Sequence, residues 1–352
     1  MFVEDVKQNF VLLEDELKEK FGDNFHLQQA TSIEHCFRIL DQYRFDCVFV
    51  DLRLPETDKG KANAENGNRL IKEVVSNFGV PIAILSGNVA EADEELTSNN
   101  IIKAFDKGEQ DTYKLAVDWI ISQKKMIDII RDVKIKLSSS FSKVFHTRIW
   151  PHWEDISRVS EKGDYDLVLP LVRQIAGHTV EQITYENELW HPYENYIIPS
   201  FVNDRSHTGD IFSFDQVYHV VLTPQCDMAT GKASSVLLAK CTQKSDEWTG
   251  YIAKLKDEDQ SKQAKGVKGL KGLLNQKEPA QHYLPPLPNS DEPLVVEFKQ
   301  LITIEYEKLI EQLDKRIATV APSFLANLTQ RFGSYVSRTG QPNIKTEELN
   351  KA

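Results

Sequence analysis

The chain has 352 residues, enough for two or three domains, with an ordinary apolar share of 41% and a formal net charge of −11. That acidity argues against a general nucleic-acid binder, and no apolar run of about 18 residues marks a membrane span. The start of the chain lacks the basic-then-apolar layout of a signal peptide, and the four cysteines (Cys36, Cys47, Cys226, Cys241) are widely spaced, so a reduced, cytoplasmic protein is expected. The first element is a scrap of strand, "FV", that runs straight into Glu4 and Asp5. Phe10, Leu13, Leu17 and Phe21 then recur at steps of three and four, the period of a helix. "NFHLQQA" reads as a short strand. Ser32 is a good N-cap for a helix with Ile33, Cys36, Phe37 and Leu40 on one stripe. "DCVFVD" is an apolar run that stops at Asp51, and "GNRLIKEVVSNFG" is a helix closed by Gly79. "VPIAILSG" and "NIIKAFDKG" read as buried strands, with a short helix between them and a longer one after, beginning near Glu109. Strands apolar on both faces with helices between them predict a five-stranded parallel sheet, doubly wound.

In such a sheet, ligands gather beyond the carboxyl ends of the strands. Glu4, Asp5, Asp51, Ser86 and Lys107 all sit at or just past such ends. A cluster of carboxylates calls for a hard cation, and Mg²⁺ suits carboxylate and water oxygens. Glu4, Asp5 and Asp51 are therefore the expected metal ligands. A carboxylate beside that cation can attack phosphorus and become an acyl phosphate, while a hydroxyl and an ammonium hold the new phosphoryl oxygens. Asp51, Ser86 and Lys107 are the candidates for those three parts.

Over residues 1–124 the sequence resembles the receiver domain of two-component response regulators (the CheY-like family). The matching pieces are Glu4-Asp5, "VFVDLRLPE" with Asp51, Asn66-Gly67, "LSG" with Ser86 and "DKG" with Lys107. The resemblance implies phosphorylation of Asp51 with Mg²⁺ on the acids. The Ser86 hydroxyl would couple phosphorylation to a surface shift, and Lys107 would contact the phosphate. It implies that Phe105 follows the hydroxyl's movement, and that a histidine kinase or phosphotransfer protein supplies the group in a phosphorelay. The chain departs from the family in three ways. Its first strand is clipped, the loop "PETDKGKANAEN" is long and polar, and Gly108 follows the lysine in place of proline. Lys103 is a competing lysine but falls inside the strand.

Residues 125–208 are expected to be a helical linker and helical region. Trp119, Met126, Ile130, Val133 and Leu137 form a stripe that fits a signalling helix, a dimer seam or packing on the C-terminal part. The serines at 138–140 are expected to end that helix, and Pro170 to divide or kink the next. His191, Asp204, His207 and Asp210 lack a diagnostic ligand spacing. Residues 209–303 are expected to form a small β-barrel, with strands at "YHVVLT", "ASSVLLAKC", "WTGYIAKL" and "PLVVEFKQLITI". A Lys-rich insert at 254–281 reads as a mobile loop. Cys226 reads as tucked inward beside an Asp227 turn, with a nucleophilic role for Cys226 and His219 lacking a third group. Residues 304–340 are expected to form a helical hairpin and 341–352 a tail. This C-terminal part faintly resembles SH3-like barrels and regulatory modules of bacterial defence (phage-defence) or mobile-element loci. The chain as a whole reads as a response-regulator-like phosphoprotein with a non-enzymatic output and a protein partner for its C-terminal part. The alternatives are a pseudo-receiver scaffold, a DNA-binding regulator or an effector enzyme.

Overall fold

The computed structural model describes residues 1–161, 167–186, 189–200, 204–243 and 245–340, so the expected tail at 341–352 lies outside the described residues. The chain divides into two compact units, Met1–Glu186 and Asn187–Ala352. No helix among the described residues is long and apolar enough to cross a membrane.

In the first unit, β1 (Phe2–Val3), α1 (Lys7–Phe21), β2 (Gln29–Ala30), α2 (Ile33–Gln42) and β3 (Val48–Val50) come first. A small ribbon of β4 (Leu54–Pro55) and β5 (Ala62–Asn63) leads into α3 (Ala64–Phe78). Then come β6 (Ile82–Ser86), α4 (Glu94–Thr97), β7 (Ile102–Asp106) and α5 (Thr112–Ser122). Five strands lie parallel in the order β2-β1-β3-β6-β7. Val3, Val48, Val50, Ile82 and Ile84 face α2 and α3, while Phe2, Phe49, Ala83 and Leu85 face α1 and α5. Burial on both faces explains why these strands read as unbroken apolar runs. β1 has only two residues, yet it is clasped on both sides, Phe2 lying opposite Gln29 and Phe49.

The helical part of this unit departs from expectation. α5 stops at Ser122, and α6 (Lys124–Val144) starts anew after Gln123. The three serines do not end α6, because Ser140 and Val144 are both buried on its face and the helix runs on to make that packing. A wider turn over Phe145–Ile149 and a tight one over Trp150–His152 lead to α7 (Trp153–Glu161). α8 (Val168–Glu186) is one helix. Pro170 lies in its first turn, where the missing N–H costs nothing.

The second unit contains β8 (Tyr196–Ile197), β9 (Asp210–Phe214), β10 (Val217–Val221), α9 (Gln225–Ala229), β11 (Ser235–Thr242), α10 (Asp246–Leu255) and α11 (Gln260–Leu274). β12 (Gln281–Leu284), β13 (Leu294–Glu305), α12 (Tyr306–Ile310), β14 (Arg316–Val320) and α13 (Pro322–Val336) complete it. Its strands form an antiparallel sheet in the order β12-β13-β11-β10-β9-β14-β8. The period-2 alternation is plain: Ile211, Val220 and Ala239 face α13, while Phe212, Val221 and Leu238 face the side of α9 and α12. Strand pairing gives an open sheet with edges at β12 and β8, where a small barrel was expected. Leu328, Phe332 and Tyr335 of α13 pack on one face, and Phe298 meets both rings. A helix thus covers the apolar surface that closure would have hidden.

Two further expectations fail. "WTGYIAKL" is helix α10, capped by Ser245, whose hydroxyl accepts from the Trp248 N–H. The Lys-rich insert is not a loop: α11 packs on α10, and Trp248 and Leu273 dock the pair on Tyr283 and Val295. The contact is close because it uses glycine. A Cβ on Gly266 would lie 2.8 Å from the Leu255 nitrogen and the Tyr251 oxygen, and one on Gly269 2.2 Å from the Tyr251 ring. Amides of 263–274 should therefore exchange slowly, and Gly266→Ala should destabilise the unit by about 1–3 kcal/mol and speed that exchange. Exchange at the rate of an open chain in the wild type would refute the packing.

The C-terminal helical hairpin is also corrected. Leu309, Leu313, Ile317 and Val320 fit a helical period, but residues 316–320 form β14 between β9 and β8. Asp210 explains why. It is fully buried, and it accepts from the Thr319 hydroxyl (2.5 Å), the His207 N–H (2.7 Å), the Arg316 guanidinium (3.0 Å) and the Ser206 hydroxyl (3.2 Å). With its oxygens so engaged, Asp210 is not part of a metal set with His191, Asp204 and His207.

Candidate functional site

The parallel sheet brings the strand-end residues of the first unit together. β1 ends at Val3, so Glu4 and Asp5 emerge at its carboxyl edge; β3 ends at Val50, so Asp51 emerges beside them. One oxygen from each of Glu4, Asp5 and Asp51 lies within 4.8 Å of the others, the only such group of possible metal ligands among the described residues. Glu4 is buried, Asp51 intermediate and Asp5 exposed. Lys107, just past β7, reaches across the edge of the sheet. Its ammonium donates to Glu4 Oε2 at 2.6 Å and to Asp51 Oδ2 at 2.8 Å. The other Glu4 oxygen accepts from the Val6 N–H at 3.0 Å, and Asp51 Oδ1 from the Arg53 N–H at 3.2 Å.

Lys103 plays no part here: it is exposed on β7, with its ammonium 5.4 Å from the centre of the Phe105 ring. Ser86 ends β6, next to β3, and is 1% exposed. Its hydroxyl accepts from the Asn88 N–H (3.2 Å), and its carbonyl accepts from the Lys107 N–H (2.8 Å). Thus Ser86 lies on the same sheet edge, but the structure shows no bond from its hydroxyl to Asp51 or Lys107. Phe105 is half-buried against Trp119, with ring centroids 6.1 Å apart.

Burial pushes the Glu4 carboxyl above its ordinary value, against the pull of Lys107 and with help from the Asp51 charge. Burial alone would lower Lys107; the hydrogen bonds and charges of Asp51 and Glu4 outweigh it and hold the ammonium above its ordinary value. The sign for stability follows. A carboxyl raised on folding contributes stability below its unfolded value near 4.5, and loses it as pH climbs through the folded value. The raised lysine contributes at all pH values below its unfolded value of 10.5 and loses that only above it. The stability of wild type minus that of Glu4→Gln should therefore fall as pH rises from about 4.5 toward neutrality. Thermal melts of both proteins over that window check it, and a flat difference would sink the assignment.

Three features have no clear signal in the sequence. Tyr113, on the first turn of α5, is half-buried; burial raises its hydroxyl, Lys107 lowers it, and the Glu4 and Asp51 charges raise it, which places it within their field. Arg53 pairs with Glu91, tying the segment after β3 to the turn after β6. Asn68 of α3 holds that same turn, donating to the Glu91 carbonyl (2.8 Å) and accepting from the Asp93 N–H (3.1 Å). The long polar loop folds back as the β4–β5 ribbon. The Thr31 hydroxyl donates to Asp58 at 2.8 Å, and the Glu34 N–H to the Glu56 carbonyl at 3.1 Å. In the second unit Cys226 is exposed, not tucked inward, with its thiol 3.7 Å from Asp227 Oδ1. His219 is buried against Phe214, and its ring nitrogen meets the Val217 carbonyl. No contact joins it to Cys226 among the described residues, and a nucleophile–base pair there lacks support.

No protein-family model matches the chain, and no curated protein does. Among solved structures, the chain is similar to the signal receiver domain of an HD domain-containing protein from Pseudomonas fluorescens Pf-5. Identity is 16%, over 36% of this chain and 94% of that one, with a TM-score of 0.28. It is also similar to a CheY-like response regulator receiver domain from Methylobacillus flagellatus, at 18% identity over 34% and 94% of the two chains, with a TM-score of 0.27. A receiver domain protein from Methanospirillum hungatei JF-1 gives 13% identity over 37% and 94%, with a TM-score of 0.27. These are distant, low-identity likenesses to CheY-like receiver domains over part of the chain.

Proposed function

We propose that the chain is a receiver-type signalling protein that accepts a phosphoryl group on Asp51. The observation that supports this is the meeting of Glu4, Asp5, Asp51 and Lys107 at one edge of the parallel sheet. An Asp51 oxygen attacks the phosphorus of a donor, a phosphohistidine of a kinase or phosphotransfer protein or a small phosphodonor. The O–P bond forms as the donor's bond to phosphorus breaks, and the leaving group takes the electron pair. Lys107 is within reach to exchange a carboxylate partner for a phosphoryl oxygen. Ser86 would need its hydroxyl to swing out of its own turn to do the same. The acid set fits a hard divalent cation such as Mg²⁺, and Glu4, Asp5 and Asp51 would hold it; bound there, it would offset charge on the transferring group. The second unit is read as a non-enzymatic interaction module.

One observation favours a second reading, a pseudo-receiver used for docking: Lys107 already satisfies both Glu4 and Asp51, so the pocket is stable as it stands. Incubation with Mg²⁺ and a small acyl phosphate, followed by intact mass, separates the two. A gain of about 80 Da supports the phosphoacceptor. No gain from any donor, together with no Mg²⁺ binding by calorimetry, leaves the docking module.

A further inference from the structure

Helix α6 is wet where its sequence is driest. Ile129, Val133, Leu137 and Phe141 stand at four-residue steps on one ridge and are 54%, 51%, 50% and 49% exposed. The ridge runs on into an aromatic ladder. Phe141 stacks on Phe145 (centroids 6.0 Å apart), Phe145 meets Trp150 (6.1 Å), and Trp150 meets Trp153 (6.4 Å). Trp150 is 58% and Trp153 36% exposed. The other side of α6 is taken up within its own unit: Ile127 enters the sheet core, Arg131 reaches Asp46, and the Lys134 ammonium donates to the Phe78 carbonyl. Further along the helix, Val144 is dry, clustered with Ile149 and Ile175 of α8. The ridge is therefore continuous with a packed seam but uncovered over three turns.

The six side chains expose on the order of 600 Å², at the upper end for a patch on a monomer, and approach the ~800 Å² that each partner of a standard interface buries. The patch carries two tryptophans and a phenylalanine, the aromatic content of an interface core, with the exposed charges of Asp132 and Lys136 at its rim. Its geometry also favours one kind of occupant. A ridge of i, i+4 side chains packs into the grooves beside another such ridge, with the helices crossing at about −50°. A second copy meets the ridge with one of equal length, area and apolar composition by two-fold symmetry, so the two patches together bury about 1,200 Å², the lower bound of a standard interface.

We propose that the α6 ridge and the aromatic ladder after it form a two-fold interface between two copies of this chain. The proposal goes beyond the phosphoacceptor reading and does not rest on it. Sedimentation of the full chain across a concentration series should show a species of twice the 40.3 kDa chain mass. The double variant Val133→Glu, Leu137→Glu should raise the dimer dissociation constant about a hundredfold or more. Both positions face water in the single chain, so its circular dichroism should match that of wild type. The milder pair Val133→Ala, Leu137→Ala keeps the helix under any circumstances and should weaken the dimer about tenfold. Three results would overturn the proposal. A wild type that is monomeric throughout, with the glutamate variant melting lower, would mean that the chain's own second unit covers the ridge. A monomeric wild type indifferent to the substitutions would leave the ridge to a different protein. A dimer that survives both variants would place its contact elsewhere.

Discussion

Asp51→Asn should abolish phosphoryl uptake while leaving the fold intact. The amide keeps the shape of the carboxylate but cannot supply the anionic nucleophile, and Asp51 is the carboxylate that both clusters with Glu4 and Asp5 and accepts from Lys107 beside Glu4. The Lys107 ammonium keeps Glu4 as a charged partner and can still donate to the new amide oxygen, so the melting temperature should change little. The measurement is intact mass after Mg²⁺ and acyl phosphate, where the wild type gains about 80 Da and the variant nothing. Equal labelling of both would put the acceptor elsewhere. Lys107→Ala is the useful companion. It strands buried Glu4 without its cation, so it should lose stability as well as labelling.

Gly67→Ala should be among the most damaging single-methyl changes in the first unit. A Cβ there would lie 2.3 Å from the Leu52 oxygen, 2.5 Å from its Cα and 2.7 Å from its carbonyl carbon, all of them backbone. Neither side can yield cheaply: α3 is packed through Leu70, Ile71 and Val74, and Leu52 is itself fully buried. A loss of about 3 kcal/mol or more is expected, visible in urea or thermal unfolding. Because Leu52 follows Asp51 directly, any relief by backbone movement shifts the proposed phosphoacceptor too. Phosphoryl uptake by the surviving folded fraction should therefore fall as well. A variant as stable and as readily labelled as wild type would mean that this close approach is not present in solution.

The first unit was legible because its chemistry and its packing use the same signal. A parallel strand buried on both faces is an apolar run, and β3 ends where the charge of Asp51 begins; β7 carries Lys103 and Asp106 within it, so Lys107 was readable from its motif and not from the first charge. Gly67 was readable as part of a motif, but its reason, contact with Leu52, is tertiary and invisible in the sequence. The second unit was harder because helix and strand periods overlap over short segments. Ile317 and Val320 suit the apolar face of a helix running on from Tyr306; the winning alternative buries Ala318 and Val320 and sends Thr319 to Asp210. α11 reads as a loop although Val267, Leu270 and Leu273 keep a helical spacing, because its buried contact is made partly by Gly266 and Gly269, residue types that signal flexibility and not core. The role of Asn68 left no trace, since an amide on an amphipathic helix is ordinarily solvated.

The pairing of β9 with β14 has a consequence for how the protein is made. Asp210 and Thr319 meet across a separation of 109 residues. A ribosome adding about 5–20 residues per second exposes β9 for several seconds before its neighbour exists. Throughout that interval Ile211 and Phe212 belong to an unpaired edge, and Asp210 lacks Arg316. Vectorial synthesis thus leaves this half of the sheet with an open edge that can recruit the wrong strand. The β9–β10 hairpin, closed by two residues of positive φ, Asp215 and Gln216, is the local structure that can form at once and hold that edge in register until residue 320 arrives.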